Sequence, residues 1–251
     1  PGEDPVFVQV VEEKHRPCIF ELVYFARPDS FLDEISVYKT RRRFGKALAE
    51  QWKDEGAPLP DVVIPIPDSA RDAALSTANY LGLPYREGFI KNRYVGRTFI
   101  MPNQEARKTS IRRKLNPIAL EFKDKDVLLV DDSIVRGNTS RRIIEAARAA
   151  GAKNIYFATT SPPLVAPCPY GIDMATTKDF IARERSVEEV CAEIGADHLM
   201  YLDQDRMVEA ARAGNPAIEN FCTGCFSADY PTTDALEHLE ALSEERSLAR
   251  D

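Results

Sequence analysis

No apolar run in this 251-residue chain approaches the roughly 20 residues needed to cross a bilayer, and no charged-then-apolar leader opens it. It also lacks internal repeats and low-complexity tracts, which excludes solenoids and disordered linkers. Cysteines number five, an odd count that argues against a disulfide framework in a chain without a leader. Glycine is followed nowhere by the Lys-Ser/Thr pair of a nucleotide-triphosphate loop. What remains is 44% hydrophobic and 29% charged, the composition of a globular protein placed in the cytoplasm.

The net charge of −7 argues against general nucleic-acid binding, yet its distribution is uneven. Residues 91–114 carry eight basic side chains against the single acid Glu105, a segment charge of +7 that leaves −14 for the rest. That stretch has too few periodic apolar residues for a core element and is long for a loop. Loops of this length are commonly functional lids. Its charge suits closure over a polyanion, while Tyr94 and Phe99 among the basic residues leave an RNA-binding patch as the other option.

Apolar spacing and punctuation set the rest. Residues 1–11 read as a short edge strand, and Cys18 to Ser30 as an aromatic run that Pro28 keeps from being helical throughout. Ser36 caps a helix running toward Gly56, with Arg41 to Arg43 on its solvated side. Val62–Ile66 is a buried strand, followed by Pro67-Asp68-Ser69, a helix ended by Gly82, and a return strand over Leu83–Ile90. Strand, helix and strand repeat over Val127–Thr160, then continue as a helix near Val187–Ile194, a strand at 198–202 and a helix at 204–213. Such alternation predicts an α/β fold with a mainly parallel sheet, helices on both faces and ligands at the carboxyl ends of the strands. From Pro231 the chain is acidic and polar, a final helix with a frayed end.

The stretch VLLVDDSIVRGNTS at 127–140 holds most of the chemistry. Four apolar residues lead into Asp131 and Asp132, then a small-residue turn with Gly137 opens a helix. Free backbone N–H groups, the helix dipole and the hydroxyls of Thr139 and Ser140 favour an anion there. Two acids beside it suit a ligand with hydroxyls or a metal as well as a phosphate, such as a ribose phosphate. A lone Asp-Asp-Ser is equally a helix-entry cap with nothing bound.

The run resembles the phosphoribosylpyrophosphate (PRPP) motif of type I phosphoribosyltransferases. Together with IPIPDSA, KNRYVGRTFI, YFARPDS at 24–30 and YGID at 170–173, it is similar to the glutamine PRPP amidotransferase family over about Cys18 to Thr232. The resemblance implies a type I phosphoribosyltransferase fold at residues 17–232, a remnant-like strand at 1–16 and a polar tail at 233–251. It implies formation of 5-phosphoribosylamine and pyrophosphate from PRPP and ammonia, in the first step of purine synthesis. Carried over by position, Asp68 and Ser69 would meet the pyrophosphate. Asp131 and Asp132 would meet the ribose hydroxyls, and Ser133, Val135, Arg136, Gly137, Asn138, Thr139 and Ser140 would seat the 5-phosphate. Mg²⁺ would be supported by Ser69, Asp131 and Asp132, and Lys91, Arg93, Tyr94 and Arg97 would act from the mobile loop. Pro1 has no thiol, so glutamine hydrolysis is expected to be absent and a separate glutaminase domain or subunit is an open partner. Homo-oligomers and purine-nucleotide inhibitors belong to the same expectation; a non-catalytic PRPP sensor is the alternative.

Cys191 falls on the apolar face Val187, Val190, Ile194 and reads as packing. Cys18, Cys168, Cys222 and Cys225 remain, the number a structural zinc or a [4Fe–4S] cluster requires, and spacing alone favours zinc. The resemblance favours the cluster, because these four match the cysteines of the family's iron–sulfur branch, where the cluster would close the terminal segments.

Overall fold

A computed structural model describes residue 8, residues 14–91, 115–172 and 179–232, and residues 234, 235 and 239. Most of the expected N-terminal strand and of the final helix, and all of the basic segment except Lys91, lie outside these residues.

Apolar runs one strand long, each followed by a helix, give the central sheet. β3 (Val62–Pro65), β6 (Asp126–Asp131), β7 (Asn154–Thr159) and β8 (His198–Tyr201) pair in that order, all parallel. Their side chains alternate between two cores, as the two-residue period of a strand requires. Val63, Leu128, Val130, Ala158 and Met200 face one core, against α1 (Val37–Asp54), α2 (Arg71–Leu81) and α6 (Gln204–Arg212). Ile64, Val127, Leu129, Ile155 and Phe157 face the other, against α4 (Asn138–Ala149) and α5 (Val187–Ile194). Helices on both faces are therefore observed. The remaining elements are small: a π-helical turn at Glu21–Phe25, the hairpin β1 (Phe31–Leu32) and β2 (Ile35–Ser36), α3 (Ala119–Phe122) and α7 (Gly224–Ser227). β4 (Phe89–Lys91) pairs antiparallel with β5 (Leu115–Pro117), bracketing residues 92–114. No helix among the described residues is long and apolar enough to cross a membrane.

Two expectations fail here. Leu83–Ile90 is not one strand. Pro84 has no N–H to give a ladder, so the segment meets β3 only at the Val63–Tyr85 bridge, with Val63 N–H donating to Pro84 and Arg86 N–H to Val63. Gly88 then passes so close to Ile64 that a Cβ would lie 2.7 Å from its Cδ1. Nor is Arg41 solvated like its neighbour Arg42: it is 3% exposed. Its Nε donates to the carbonyl of Leu22 (3.1 Å), and its Nη2 to those of Tyr24 (3.0 Å) and Ala26 (2.8 Å). The π-helical turn ends before Pro28 and leaves these carbonyls without helical partners, and one guanidinium gathers them.

Candidate active site

Strand β6 ends on Asp131, and its register against β7 sets Asp131 opposite Thr159. Both acids are buried, Asp131 at 9% and Asp132 at 7% exposure. The Asp132 N–H donates to Asp131 Oδ1 at 2.9 Å, and Ser133 Oγ to Asp132 Oδ1 at 2.8 Å. From the neighbouring strand's loop, Ser69 Oγ donates to Asp132 Oδ2. Burial pushes the Asp131 carboxyl well above the ordinary range, and the adjacent Asp132 charge adds to that. Burial raises Asp132 as well, opposed by the Ser69 and Ser133 hydrogen bonds and by the Arg41 charge. A buried acid pair short of positive charge is the donor set a hard cation such as Mg²⁺ suits, with substrate oxygens completing its shell.

Loop 133–137 turns sharply into α4. Gly137 has φ +74°, and a Cβ there would sit 2.3 Å from Ile181 Cδ1. Ile181 N–H donates to the Val135 carbonyl at 2.9 Å, and Arg136 pairs with Asp179 at 2.8 Å, so residues 179–181 fix the loop from outside. Asn138 and Thr139 are exposed in the first turn of α4, whereas Ser140 is buried at 3%.

Among the longer helices, α1, α5 and α6 are closed by the side chains of Ser36, Ser186 and Asp203. The two that follow β3 and β6, α2 and α4, have no side-chain cap. Their N-terminal N–H groups stay available at the carboxyl edge, where an anion would meet both donors and dipole. The competing reading of Asp-Asp-Ser as a helix cap does not hold, because neither Asp131, Asp132 nor Ser133 caps α4.

Beside this edge, Lys91 Nζ pairs with Asp68 Oδ2 at 3.0 Å and Arg71 Nη1 with Asp68 Oδ1 at 3.4 Å. Sequence reasoning therefore finds Asp68, Ser69, Lys91, Asp131 and Asp132 gathered at one edge, and Ser133 to Ser140 forming the adjoining loop and helix start. Arg93, Tyr94 and Arg97 lie outside the described residues. It misses Arg41, Arg71, Asp179 and Ile181. Arg41, Asp179 and Ile181 act on the site through contacts distant in sequence, and Arg71, though only three residues from Asp68, belongs to no motif of its own.

A second cluster lies away from this edge. Backbone hydrogen bonds join three segments: Cys222 N–H to Pro17, Ile19 N–H to Cys222, and Val165 and Ala166 N–H to Cys225. Cys18, Cys168, Cys222 and Cys225 are free thiols close enough to act on one another electrostatically. Burial first, with the neighbouring sulfurs adding, pushes Cys18 up to about 11 and Cys225 further. Their grouping and soft donors suit a thiolate-bound metal group, although no trio of His, Cys, Asp or Glu among the described residues converges tightly enough to hold a metal. Cys191 lies apart, packed against the other core with its thiol toward the Ala196 carbonyl.

The phosphoribosyl transferase domain family matches residues 40–163, which contain β3, β6, α2, α4 and both loops of the site. The amidophosphoribosyltransferase of Haemophilus influenzae is 52% identical over 236 residues, 92% of this chain and 46% of that protein. That of Saccharomyces cerevisiae is 50% identical over 248 residues, 97% of this chain and 48% of that protein. Among solved structures, the glutamine PRPP amidotransferase of B. subtilis complexed with ADP and GMP aligns with a TM-score of 0.78 at 43% identity, covering 89% of this chain and 48% of that one. The chain thus spans about half the length of the relatives it matches. It has the type I phosphoribosyltransferase fold, and over more than nine-tenths of its length it is similar to amidophosphoribosyltransferases.

Proposed function

We propose that this chain performs the phosphoribosyl transfer of its relatives, converting PRPP and ammonia to 5-phosphoribosylamine and pyrophosphate. The observation that supports it most is the buried Asp131–Asp132 pair at the end of a central strand, flanked by two helix starts without side-chain caps. In the reaction the bond from C1 of the ribose to the diphosphate oxygen breaks and a bond from nitrogen to C1 forms. Ammonia gives up one proton to solvent, and the electron pair of the broken bond leaves with pyrophosphate. No protein nucleophile is required. The chain's part is to hold the two ends of PRPP so that C1 is open to ammonia, and to offset charge on the leaving group.

In this reading Asp131 and Asp132 accept from the ribose hydroxyls, and Ser69 and Ser133 keep Asp132 in place for that purpose. Loop 133–137 and the first turn of α4 take the 5-phosphate, with Gly137 allowing the backbone to approach it. Loop 67–70 and the start of α2 take the pyrophosphate, with Lys91 alongside. Asp131, Asp132 and Ser69 are the residues that would hold Mg²⁺, which when bound neutralises diphosphate charge. Arg93, Tyr94 and Arg97 are assigned to the same step from the sequence resemblance. Cys18, Cys168, Cys222 and Cys225 would carry a [4Fe–4S] cluster with a structural task, zinc being the alternative. Purine-nucleotide binding, a glutaminase partner, self-association and a cytoplasmic setting come with the family reading.

Calorimetry with PRPP and Mg²⁺, run beside an assay of pyrophosphate release in ammonium, tests the proposal. Binding with ammonium-dependent release supports it; binding without release would make the chain a PRPP sensor instead.

A further inference from the structure

Four charged side chains around the proposed pyrophosphate seat form one alternating chain. Lys91 Nζ meets Asp68 Oδ2 at 3.0 Å, Asp68 Oδ1 meets Arg71 Nη1 at 3.4 Å, and Arg71 Nε meets Glu87 Oε2 at 3.4 Å. Tyr85 closes the end by donating its hydroxyl to Glu87 Oε1 at 2.6 Å. The groups come from three places: the loop after β3, the first turn of α2, and the segment running through β4. Their charges cancel, so among the described residues the two cations at the proposed pyrophosphate seat are each neutralised by a carboxylate. Asp68 touches both. All four are roughly half exposed, so the pairs are weak and open to exchange.

We infer that Asp68 is a built-in counter-ion of the pyrophosphate seat, a carboxylate that competes with the diphosphate for Lys91 and Arg71. This rests on the reading of that edge given above and changes the role of Asp68 within it. Asp68 does not contact the diphosphate as a ligand, since a carboxylate against a phosphate oxygen is repelled. It holds the two cations at the seat and yields them when a stronger polyanion arrives. The arrangement lowers affinity for free pyrophosphate, the product, while leaving both cations poised for PRPP. Exchange of one anion for another keeps Lys91 and Arg71 paired throughout, so the cations never need to be assembled at the moment of binding.

The test is calorimetry with inorganic pyrophosphate, with and without Mg²⁺, at low and moderate salt. Asp68→Asn releases Lys91, leaves Arg71 with Glu87 alone and removes a repelling charge, and should bind pyrophosphate about threefold to tenfold more tightly, an advantage that shrinks as salt screens it. Glu87→Gln frees Arg71 from its other carboxylate without touching the loop. It should tighten binding by less, which keeps the test decisive if Asp68→Asn disturbs the fold. Arg71→Gln should weaken binding. Unchanged or weaker binding in both acid variants would overturn the counter-ion role while leaving the site in place. Failure of the wild-type chain to bind pyrophosphate under any of these conditions would instead overturn the reading of the site itself.

Discussion

Replacing Arg41 by methionine should cost far more stability than the same change one residue along. The Arg41 guanidinium is fully enclosed and satisfies three carbonyls at 2.8–3.1 Å, one of them, on Leu22, buried. Methionine fills the aliphatic space and donates nothing. The Leu22 carbonyl then carries the desolvation cost of an unpaired buried acceptor, about 1–3 kcal/mol, and the two half-buried carbonyls lose a smaller amount each. The guanidinium's own release from burial offsets part of this, giving a net loss of about 2–4 kcal/mol. For a chain of this size each kcal/mol shifts the melting temperature by roughly 2–4 °C, so the variant should melt about 5–15 °C lower. Arg42 is exposed, with its guanidinium 5.8 Å from the Tyr38 ring centroid, and Arg42→Met should cost less than about 1 kcal/mol. Thermal unfolding followed by circular dichroism measures both, and hydrogen exchange should show amides of the 21–26 turn losing protection in Arg41→Met alone. Equal melting temperatures for the two variants would refute the reasoning, because they would return Arg41 to the solvated face.

Gly137→Ala puts a Cβ 2.3 Å from Ile181 Cδ1 at a backbone with φ +74°, and should cost about 2–4 kcal/mol. By displacing the phosphate loop it should also weaken PRPP binding at least about tenfold by calorimetry; unaltered affinity would remove the loop from the site. Burial lowers His198 below its ordinary value of 6.5, against a small opposing pull from Glu55. Its contribution to stability is therefore complete above pH 6.5 and is lost as pH falls from there through the folded-state value. Comparing urea midpoints at pH 7.5 and 5.5 should show a smaller drop in His198→Phe than in the wild type, and identical drops would contradict the assignment. Protein purified without oxygen should contain iron and sulfide, both lost in Cys225→Ser and retained in Cys191→Ser; a colourless zinc protein would overturn the cluster.

Much of the fold was legible because its signals are local. The runs Val62–Ile66 and Val127–Val130 are short and apolar, and each is followed by a polar turn and a helix with a clear stop, Gly82 and Gly151. The two acids at a strand end marked the candidate site for the same reason. What could not be read depends on contacts distant in sequence. Arg41 looks like one of three consecutive surface arginines, and only the position of the Leu22, Tyr24 and Ala26 carbonyls distinguishes it. Leu83–Ile90 has strand composition, but Pro84 and the close passage of Gly88 over Ile64 limit it to one bridge and a short ribbon. The support of loop 133–137 by Asp179 and Ile181 spans more than 40 residues, and no spacing rule reaches that far.

In the function proposed above, the buried acid pair serves transfer of a phosphoribosyl group to ammonia. Pyrophosphate release from PRPP and Mg²⁺, measured with and without ammonium on the wild-type chain and on a variant with both Asp131→Asn and Asp132→Asn, addresses it most directly. Release should rise with free ammonia in the wild type and fall to background in the double variant. Release that ignores ammonium, or that survives loss of both acids, would contradict it.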